Sequence, residues 1–452
     1  MFDRFFLSLF CAVSLTGCVS GPPVPSPLEP AEVRSAAEQA PRVQVEASAT
    51  FAAVGDLLMH GAVKKSAAAA ATVSAEGVSS NFDGFGALFE GLKPAVSSAD
   101  FAFANLETPI APVHGRGSRS FVFNAPSALL PALADTGFDI VSFANNHVYD
   151  QGVKGLTETV EQLTASPLDF VGAGTDCAAA RAPRVVDING VSVGFIATTM
   201  LFNGNLNSGE EKPCAFDFDM DEALASVAAA REQGAEIVVL SIHWGAEYKT
   251  APSRGQISIG HQLLEGGVDL VLGHHAHVLL PIEIHETKDN RMGVIAYGLG
   301  NSISNQSRQY IHGVHSDDFG NTRDGVVLLV DFVRKNYGAG PDGSDQIRSE
   351  LANVRAVPTW TLNNANELRR GEAPHIRVLQ THHLLRDAES ALLDPSDKDR
   401  TLELKKEIEL YRTRLEEVDK ILGEGFVHEL RQPDTTPNDV REESPKSTPA
   451  AD

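Results

Sequence analysis

Carboxylate, amide and imidazole side chains are concentrated in five short segments, and each segment directly follows an apolar run. Oxygen and imidazole ligands, with no thiolate among them, suit borderline divalent cations such as those of Mn, Fe and Zn. The segments together therefore predict a metal site. They are residues 55–60 (Gly-Asp-Leu-Leu-Met-His), 105–107 (Asn-Leu-Glu), 145–152 (Asn-Asn-His-Val-Tyr-Asp-Gln-Gly), 243–247 (His-Trp-Gly-Ala-Glu) and 273–277 (Gly-His-His-Ala-His).

Each segment taken alone has an ordinary structural explanation. Asp56 could cap a helix, adjacent asparagines could form a turn, and a single His243 could be a hydrogen-bonded structural residue. The combination of five segments favours the metal interpretation. The most specific part is the histidine run, because His275 and His277 stand two residues apart and would face the same way on an extended segment. His274 is the alternative member of that pair.

The elements that must position these segments are predicted to be β-strands alternating with helices. Such alternation is typical of an α/β domain, in which side chains converge beyond the carboxyl ends of the strands. Helices are predicted at residues 152–165 and 220–233 from apolar residues at helical spacing. The alanine run 67–71 is interpreted as part of a surface insertion. Strands are predicted at residues 50–54, 99–104, 139–144, 191–197, 237–242, 268–272, 293–297, 325–332, 352–362 and 376–380.

The order and identity of these motifs resemble the capsule synthesis protein family typified by CapA, a branch of the calcineurin-like metallophosphoesterases. The resemblance runs from about residue 50 to residue 332. It includes residues 297–301 (Tyr-Gly-Leu-Gly-Asn), which are similar to the Tyr-Ser-Leu-Gly-Asn that ends a strand in that family. The resemblance implies a four-layer α/β/β/α sandwich over residues 48–385, followed by a C-terminal helical extension.

Three positions depart from the family pattern. Gly298 and Ser302 replace the usual Ser and Phe, and Ala276 stands where Pro is common. None of these changes removes an expected ligand. The departures leave the shape of the loops and the fit of a substrate open.

The resemblance also implies two divalent metal ions, of Mn, Fe or Zn, and a role for each polar residue. Asp56 and His60 would bind the first metal, and Glu107 would bridge the two. Asn146 and His243 would bind the second metal. His275 and His277 would complete both coordination shells.

Further residues are expected around these ligands. His147 would be an acid near the leaving group and not a ligand, as in the Asn-His pair of the superfamily. Asp150 and Glu247 either orient imidazoles or merely fix their loops. Asn301 is placed with them as a supporting residue, and His274 is the fallback ligand.

Two functions follow from this arrangement. The first is metal-dependent hydrolysis, by default of a phosphoester, with water as the nucleophile and a proton donated by His147. The resemblance directs this chemistry toward the synthesis or processing of an anionic capsule polymer such as poly-gamma-glutamate. The second function is non-catalytic, in which an envelope lipoprotein binds the polymer or assists the envelope synthesis machinery. A shared fold does not decide between them.

The composition excludes some classes of function. Hydrophobic residues make up 42% and charged residues 21% of the 452 residues, as in an ordinary globular protein, while the formal net charge is −23. Such an acidic surface repels polyanions on average, so nucleic acid is not an expected partner. A metal-filled cleft can still be locally positive.

The N-terminus predicts export. Arg4 precedes an apolar run, residues 5–15, that ends in Leu-Thr-Gly-Cys at Cys18 and resembles a lipoprotein signal peptide with its lipobox. Residues 1–18 are therefore the expected signal and residues 19–47 a disordered Pro-rich tether. A lipidated Cys18 would anchor the protein to a membrane, facing the periplasm or the cell exterior. A simple cleaved signal and an uncleaved anchor are the alternatives.

Two further features leave alternatives open. Cys177 and Cys214 either form a disulfide in an oxidising compartment or are two unrelated buried thiols. A helix is predicted at residues 386–425, with apolar residues at alternating spacings of four and three between residues 404 and 422. It either packs on its own domain or forms a homodimer. Residues 426–452 are predicted to be disordered.

Overall fold

The computed structural model describes residues 43–71, 81–117, 119–368, 372–393 and 398–430. The predicted signal peptide, Cys18, nearly all of the predicted tether and most of the predicted C-terminal tail lie outside these residues. Among the described helices, none combines the length and the apolar character needed to cross a membrane.

The described strands form two large sheets and one small one. The first sheet has the strand order β16-β15-β14-β1-β2-β3-β4, with β13 also paired to β1, and the second has the order β11-β12-β10-β9-β7-β6. Strands β5 and β8 form a separate pair. The strands are β1 Gln44–Leu57, β2 Phe101–Leu106, β3 Ile140–Ser142, β4 Asp169–Val171, β5 Ala173–Gly174, β6 Arg184–Ile188, β7 Val191–Thr199, β8 Cys214–Ala215, β9 Ile237–His243, β10 Leu270–His274, β11 Ile282–Glu286, β12 Met292–Ala296, β13 Asn301–Ile303, β14 Asp324–Ala339, β15 Asp345–Asn363 and β16 Ile376–Gln380.

The first large sheet is parallel on one side of β1 and antiparallel on the other, whereas the second has a parallel centre and antiparallel edges. In the first sheet β1, β2, β3 and β4 are parallel, and β14, β15 and β16 continue from β1 in antiparallel fashion. In the second sheet β7, β9, β10 and β12 are parallel, and β6 and β11 form antiparallel edges. The parallel strands bring their carboxyl ends to one edge of each sheet, where a site can form.

Helices cover the outer faces of both sheets. Three of the described α-helices begin with a side-chain cap: Asp176 accepts from the backbone N–H of Ala179, Asp219 accepts from that of Glu222, and Ser253 forms a capping box with Gln256. Two short 3₁₀ helices span Phe82–Gly84 and Asp317–Arg323. The α-helices are α1 Gly61–Ala70, α2 Phe85–Phe89, α3 Lys93–Val96, α4 Leu129–Thr136, α5 Gly152–Thr164, α6 Cys177–Arg181, α7 Met220–Glu232, α8 Arg254–Glu265, α9 Thr381–Leu392 and α10 Lys398–Leu422.

The side chains of β1 show how the layers are held together. Phe51 and Ala53 point to one face of the strand and join the core between the two sheets, where the ring of Phe51 lies 5.6 Å from that of Phe195. Ala52 and Val54 point to the opposite face and join the core beneath the helices. All five residues are buried. A strand buried on both faces is expected to be apolar throughout, as this one is.

The second sheet repeats this arrangement. Val239 and Leu272 belong to the core between the sheets. Val238 and Leu240 belong to an outer core that they share with Leu263 of α8. The predicted four-layer α/β/β/α architecture is therefore confirmed.

Some predicted boundaries differ from the structure. Residues 67–70 of the run 67–71, interpreted as part of a surface insertion, form the end of α1, in which Ala67 is buried while Ala68 and Ala69 are exposed. Strand β1 starts at Gln44, so it includes the last residues of the predicted tether. A run of alanine has no alternation of apolar and polar residues, so its sequence does not distinguish a helix from a loop.

The C-terminal extension consists of two helices, α9 and α10, rather than the single helix predicted. Leu404, Ile408 and Tyr411 pack in one cluster with Trp360, and Val418 joins the core between the sheets. The apolar seam is thus largely covered within the chain. Beyond it, residues 426 and 427 pack on the same core, so the ordered chain continues into the predicted tail.

Cys177 and Cys214 form a disulfide, with their Cα atoms 5.1 Å apart. Cys177 begins α6, and Cys214 begins β8. The bridge closes a loop of the chain beside the second sheet, whose outer core includes both cysteines. A covalent link of this kind restricts the unfolded chain and so stabilises the fold.

Candidate metal centre

The polar segments meet because of strand register. Asp56 lies opposite Asn105 across the parallel pair β1 and β2, and His243 lies opposite His274 across β9 and β10. The two pairs belong to different sheets, and the backbone N–H of His275 donates to Asp56 Oδ2 across the gap at 3.3 Å. The carboxyl ends of both sheets therefore form one site.

Asp56 is fully buried and held by three contacts. Its Oδ1 accepts a hydrogen bond from Asn105 Nδ2 at 2.9 Å, and its Oδ2 lies 3.1 Å from His277 Nδ1. Burial by itself would raise the pKa of this carboxyl. The neighbouring imidazoles of His274 and His277 outweigh burial and hold its pKa well below the usual range, so Asp56 is an anion.

Glu107 is the most unusual residue of the site. It is completely buried, and neither of its carboxylate oxygens has a hydrogen-bond partner among the described residues. The Nε2 atoms of His243, His147 and His277 lie 3.6, 3.8 and 3.9 Å from its Oε1, beyond hydrogen-bond range. Burial first, and then the negative charge of Asp56, raise the pKa of Glu107 well above its usual value.

The unpartnered carboxylate of Glu107 and the spacing of the imidazoles around it show whether these residues fit a metal ion. Ligands on a common ion at about 2.0–2.2 Å stand roughly 3–3.5 Å apart, only slightly closer than the imidazoles stand to Glu107. A buried charge without a partner costs several kcal/mol, as an order of magnitude, unless a counterion is bound. The donor set and its spacing therefore fit a divalent cation.

His243 connects the centre to the loop that follows β3. Its Nε2 lies 2.9 Å from Asn146 Oδ1 and 3.1 Å from His275 Nδ1, so three ligand atoms converge on one point. Burial, and then the charge of His275, lower the pKa of His243 well below the usual value. Burial, followed by the charge of His277, lowers the pKa of His275 to about 4. Both rings are then neutral near pH 7, as a metal ligand must be.

Two groups of three ligand atoms can be distinguished in the centre. Asp56, Glu107 and His243 form one group, and Glu107, His275 and His277 form the other, with all atoms of a group within 4.8 Å of one another. Glu107 belongs to both. The structure thus brings together five of the seven predicted ligands, with Asn146 in contact with them through His243.

The structure distinguishes the three histidines of residues 274–277. His275 and His277 belong to one of the groups, whereas His274 belongs to neither. His274 Nδ1 lies 3.2 Å from Asp56 Oδ1 without the alignment of a hydrogen bond. The backbones of His275 and His277 have φ angles of +88° and +58°, which cost energy for residues with a side chain. This strain turns the two imidazoles toward Glu107.

His60 lies beside the centre rather than within either group. Its Nδ1 accepts the backbone N–H of Asn305 at 3.3 Å, and its ring packs edge-on against Phe123 at 5.0 Å. Burial, and then the charge of His277, lower the pKa of His60 to about 4. Because Nδ1 accepts this hydrogen bond, His60 could bind the first metal, as expected, only through its Nε2.

The ring of His147 is held at one nitrogen and directed into the centre at the other. Its Nδ1 lies 2.8 Å from Asp150 Oδ2, and Asn203 Nδ2 approaches the same nitrogen at 3.2 Å. The opposite nitrogen, Nε2, faces Glu107. Asp150 thus orients an imidazole, whereas Glu247 is exposed at the rim and forms no hydrogen bond with an imidazole in the described part of the chain.

Asparagines complete the surroundings of the ligands. Asn301 Oδ1 lies 3.1 Å from His277 Nδ1, and its Nδ2 donates to Thr322 O at 2.8 Å, so it supports His277 as expected. Sequence reasoning assigned no role to Asn105, although it stands in one of the five polar segments. It missed Asn203 entirely, because no motif surrounds that residue.

Comparison with known proteins agrees with these motifs. Residues 50–306 match the family described as bacterial capsule synthesis protein PGA_cap, which is more than half of the chain. The chain belongs to the bacterial capsule synthesis protein family.

Relatives in this family are about a quarter identical to the chain over the matched segments. The capsule biosynthesis protein CapA of Bacillus anthracis is 27% identical over 57% of this chain and 60% of its own length. The PGA biosynthesis protein CapA of Bacillus subtilis (strain 168) is 27% identical over 65% of this chain and 69% of its own length. The match thus spans less than two thirds of the Bacillus anthracis protein.

Solved structures are more distant. The NAD nucleotidase NadN of Haemophilus influenzae has 12% identity and a TM-score of 0.41, covering 84% of this chain and 61% of its own. A putative 5'-nucleotidase from Staphylococcus aureus has 13% identity and a TM-score of 0.35, covering 68% of this chain and 54% of its own.

Two clefts border the centre in this capsule synthesis family member. The first, of about 560 Å³, is lined by Asn146, His147, Asn203 and Glu247 among others, and opens directly onto the candidate acid. The second, of about 430 Å³, shares Asp150 with the first. Basic side chains line the second cleft at Arg116, Arg119, Lys154 and the partly exposed His114.

Proposed function

We propose that this capsule synthesis family member is a hydrolase that uses two divalent metal ions and acts on an anionic polymer of the cell envelope. The observation that carries the proposal is Glu107, a fully buried carboxylate whose two oxygens lack partners while imidazoles surround it. A structural role would favour a hydrogen-bonded or apolar residue here. A catalytic metal centre explains why an unsatisfied carboxylate is kept.

The chain would divide the ligands between two positions that share Glu107. Asp56 and His277 are in contact and suit the first position. His243, His275 and Asn146 converge on one point and suit the second. When bound, the ions would supply an activated water and neutralise charge on the substrate. The identity of the metal, Mn, Fe or Zn, is left to measurement.

His147 would donate the proton that the leaving atom needs, which is an oxygen in a phosphoester and a nitrogen in the amide-linked chain of poly-gamma-glutamate. Its Nδ1–H donates to Asp150 at 2.8 Å, so a second proton taken up by the ring lies on Nε2, toward the centre, and is the one that can be transferred. The adjoining cleft admits a substrate to that side of the ring. A positioned acid of this kind contributes about 10²–10⁴-fold to a rate.

The neighbouring cleft supports an anionic substrate. Arg116, Arg119 and Lys154 are exposed and line it, in a chain whose net charge is −23. Because Asp150 lies between the two clefts, a polymer bound to the basic residues would pass His147. The Bacillus subtilis relative is named as a PGA biosynthesis protein, and by that likeness we propose poly-gamma-glutamate or a related capsule polymer as substrate.

The place of action is proposed from the sequence. The lipobox-like Cys18 would tether the domain to a membrane, facing the periplasm or the cell exterior, and bring it to the envelope synthesis machinery. The Cys177–Cys214 disulfide is consistent with an oxidising compartment. A homodimer through the C-terminal helix would need a face of α10 other than the seam buried within the chain.

A metal-loaded hydrolysis assay tests the proposal. The full chain, supplied in turn with Mn²⁺, Fe²⁺ and Zn²⁺, should hydrolyse a generic phosphoester or cleave the polymer, and Asp56→Ala should abolish the activity. Inactivity with every metal and substrate class would reject catalysis. If both wild type and Asp56→Ala then retained the polymer in a pull-down, the non-catalytic assembly function would be supported instead.

The basic cleft can be tested separately. Reversal of charge in Arg116→Glu with Arg119→Glu should raise the KM for an anionic polymer at least about tenfold and leave kcat for a small neutral ester unchanged. The matched control is Arg254→Glu, which reverses an exposed charge on α8. An unchanged KM would remove this cleft from the proposal.

A further inference from the structure

A second group of metal-ligating side chains lies apart from the centre, where α8 meets the edge strand β11. His261 and Glu265 are four residues apart on α8 and so share one face of the helix. Glu283 and His285 are two residues apart on β11 and so share one face of the strand. The two faces meet, and none of these residues takes part in the site described above.

The four side chains are close enough to serve one ion. His261 Nε2 lies 2.7 Å from Glu283 Oε1, and His285 Nδ1 lies 3.8 Å from the same oxygen. His285 Nε2 lies 3.7 Å from Glu265 Oε1. The ligand atoms of His261, Glu283 and His285 all fall within 4.8 Å of one another.

The orientation of Glu283 is fixed from outside the group. Tyr297 donates its hydroxyl to Glu283 Oε2 at 2.7 Å, which leaves Oε1 directed at the two imidazoles. A ligand carboxylate held by a hydrogen bond on its other oxygen is the arrangement that supports metal ligands in proteins. The two imidazole rings stack 4.2 Å apart with an angle of 19° between their planes. The group is thus ordered by Tyr297 from outside and by the stacking of its own two imidazoles.

His285 is the residue that ordinary hydrogen bonding does not explain. Its ring stands between two carboxylates at 3.7 and 3.8 Å, outside hydrogen-bond range of both, and no hydrogen bond to the ring nitrogens is found among the described residues. Rotation of either carboxylate or of the ring by a small amount would place an ion between them. The side chains are between 23% and 34% exposed, so a hydrated cation can reach them without opening of the fold.

We propose that His261, Glu265, Glu283 and His285 form a separate binding site for a divalent cation of the zinc class, which clamps α8 to the edge strand β11. Two imidazoles with carboxylates are a donor set for Zn²⁺ and its neighbours. Ca²⁺ and Mg²⁺ prefer sites made of oxygen alone, so they are poor occupants. The ion is structural, because the ligands approach it from two elements and no cleft adjoins them among those that border the centre.

Zinc stoichiometry tests this site directly. The metal-free full chain, titrated with Zn²⁺ in a calorimeter, should bind one equivalent more than the double variant His261→Gln with His285→Gln. The matched control is His312→Gln with His315→Gln, two histidines of the loop before β14, which should bind as wild type does. Equal stoichiometry in wild type and the His261/His285 variant would overturn the proposal.

Further variants distinguish loss of the outer metal from loss of the inner metal and from a failure to fold. In Asp56→Ala, which impairs the proposed centre, the outer equivalent should remain, so loss of the inner metal and loss of the outer one are distinguishable. Glu265→Gln spares the Glu283–Tyr297 hydrogen bond and should weaken the outer Zn²⁺ at least about tenfold. Unchanged affinity in Glu265→Gln together with an unchanged stoichiometry in the double variant would exclude a zinc site here.

Discussion

The inner centre and the outer cluster use the same side chains, imidazole and carboxylate, under opposite degrees of burial. In the inner centre the side chains of Glu107 and His243 are 0% and 1% exposed, while in the outer cluster those of His261 and Glu283 are 33% and 34% exposed. Water can satisfy the outer groups when no ion is bound. It does not reach the inner carboxylate, whose oxygens have no other partner among the described residues.

Burial, more than residue type, therefore separates a site that needs a cation from one that can bind a cation but is stable without it. A buried unpaired charge costs several kcal/mol, as an order of magnitude, and a bound ion removes that cost. An exposed ion pair contributes about 0–1 kcal/mol. Removal of metal should therefore damage the inner region far more than the outer one.

The largest expected contrast is in activity. His243→Ala should lower kcat/KM by at least about 10³-fold, because a metal contributes several kcal/mol of charge stabilisation and each 1.36 kcal/mol is tenfold. His285→Ala should leave activity within about twofold. Steady-state assays on both variants with the same substrate measure the contrast, and similar losses in the two would break it.

Within the inner centre, the proton donor should be separable from the ligands. His147→Gln should lower kcat by about 10²–10³-fold while the bound metal, counted by elemental analysis, stays at the wild-type level. Asp150→Asn should have a smaller effect in the same direction, because it changes only the orientation of His147. Loss of metal in His147→Gln would show that this residue is a ligand instead.

A change that harms function in the inner centre should stabilise the metal-free fold. Glu107→Gln should raise the free energy of unfolding of the metal-free protein by about 1–3 kcal/mol, because an amide is cheaper to bury than a carboxylate. Since burial raises the pKa of Glu107, the folded protein binds this proton more tightly than the unfolded chain does. That contribution to stability is lost as pH rises through the folded pKa, so the gain from the substitution should grow with pH.

Thermal unfolding in the presence of a chelator measures this gain. Glu265→Gln in the outer cluster is the matched control and should change stability by no more than about 0.5 kcal/mol. A metal-free Glu107→Gln protein less stable than wild type would contradict the view that the inner carboxylate is unsatisfied.

The smallest effect should come from filling the outer cluster. In an Asp56→Ala background, Zn²⁺ at about ten times its Kd should stabilise the fold by about 1.4 kcal/mol, which corresponds to a rise of roughly 1.5–2 °C in Tm for a chain of this length. Addition of His285→Gln to that background should remove the shift. A zinc-dependent shift that survives in His285→Gln would assign it to another site.

Much of the fold was predictable from apolar runs alone. Residues 376–380 were predicted as a strand and form β16, and residues 237–242 fall within β9. Long buried strands carry continuous apolar signals. The short strands β4, β5, β8 and β13 were missed, because two or three residues give no periodic signal and form only when their neighbours are in place.

The candidate site was predictable where the motif follows a strand directly. Asp56, Glu107 and His243 were named from their places at or just after strand ends, and the structure brings them together. His60 stays a predicted ligand, through Nε2 alone, because the backbone N–H of Asn305, 245 residues away, occupies its Nδ1. The outer cluster could not be recognised in the sequence either, because its residues meet only when α8 packs against β11.

The sequence by itself determined which residue types stand at the strand ends, and with them the metal-ligand chemistry and the family. These features are local, since a strand and the segment after it are written contiguously in the chain. The choice of His275 and His277 over the alternative His274 depended on the tertiary structure, in which the first two imidazoles lie close to Glu107 and the third belongs to neither group. That choice depends on left-handed backbone conformations and on the meeting of two sheets, which are set by contacts between residues far apart in the chain.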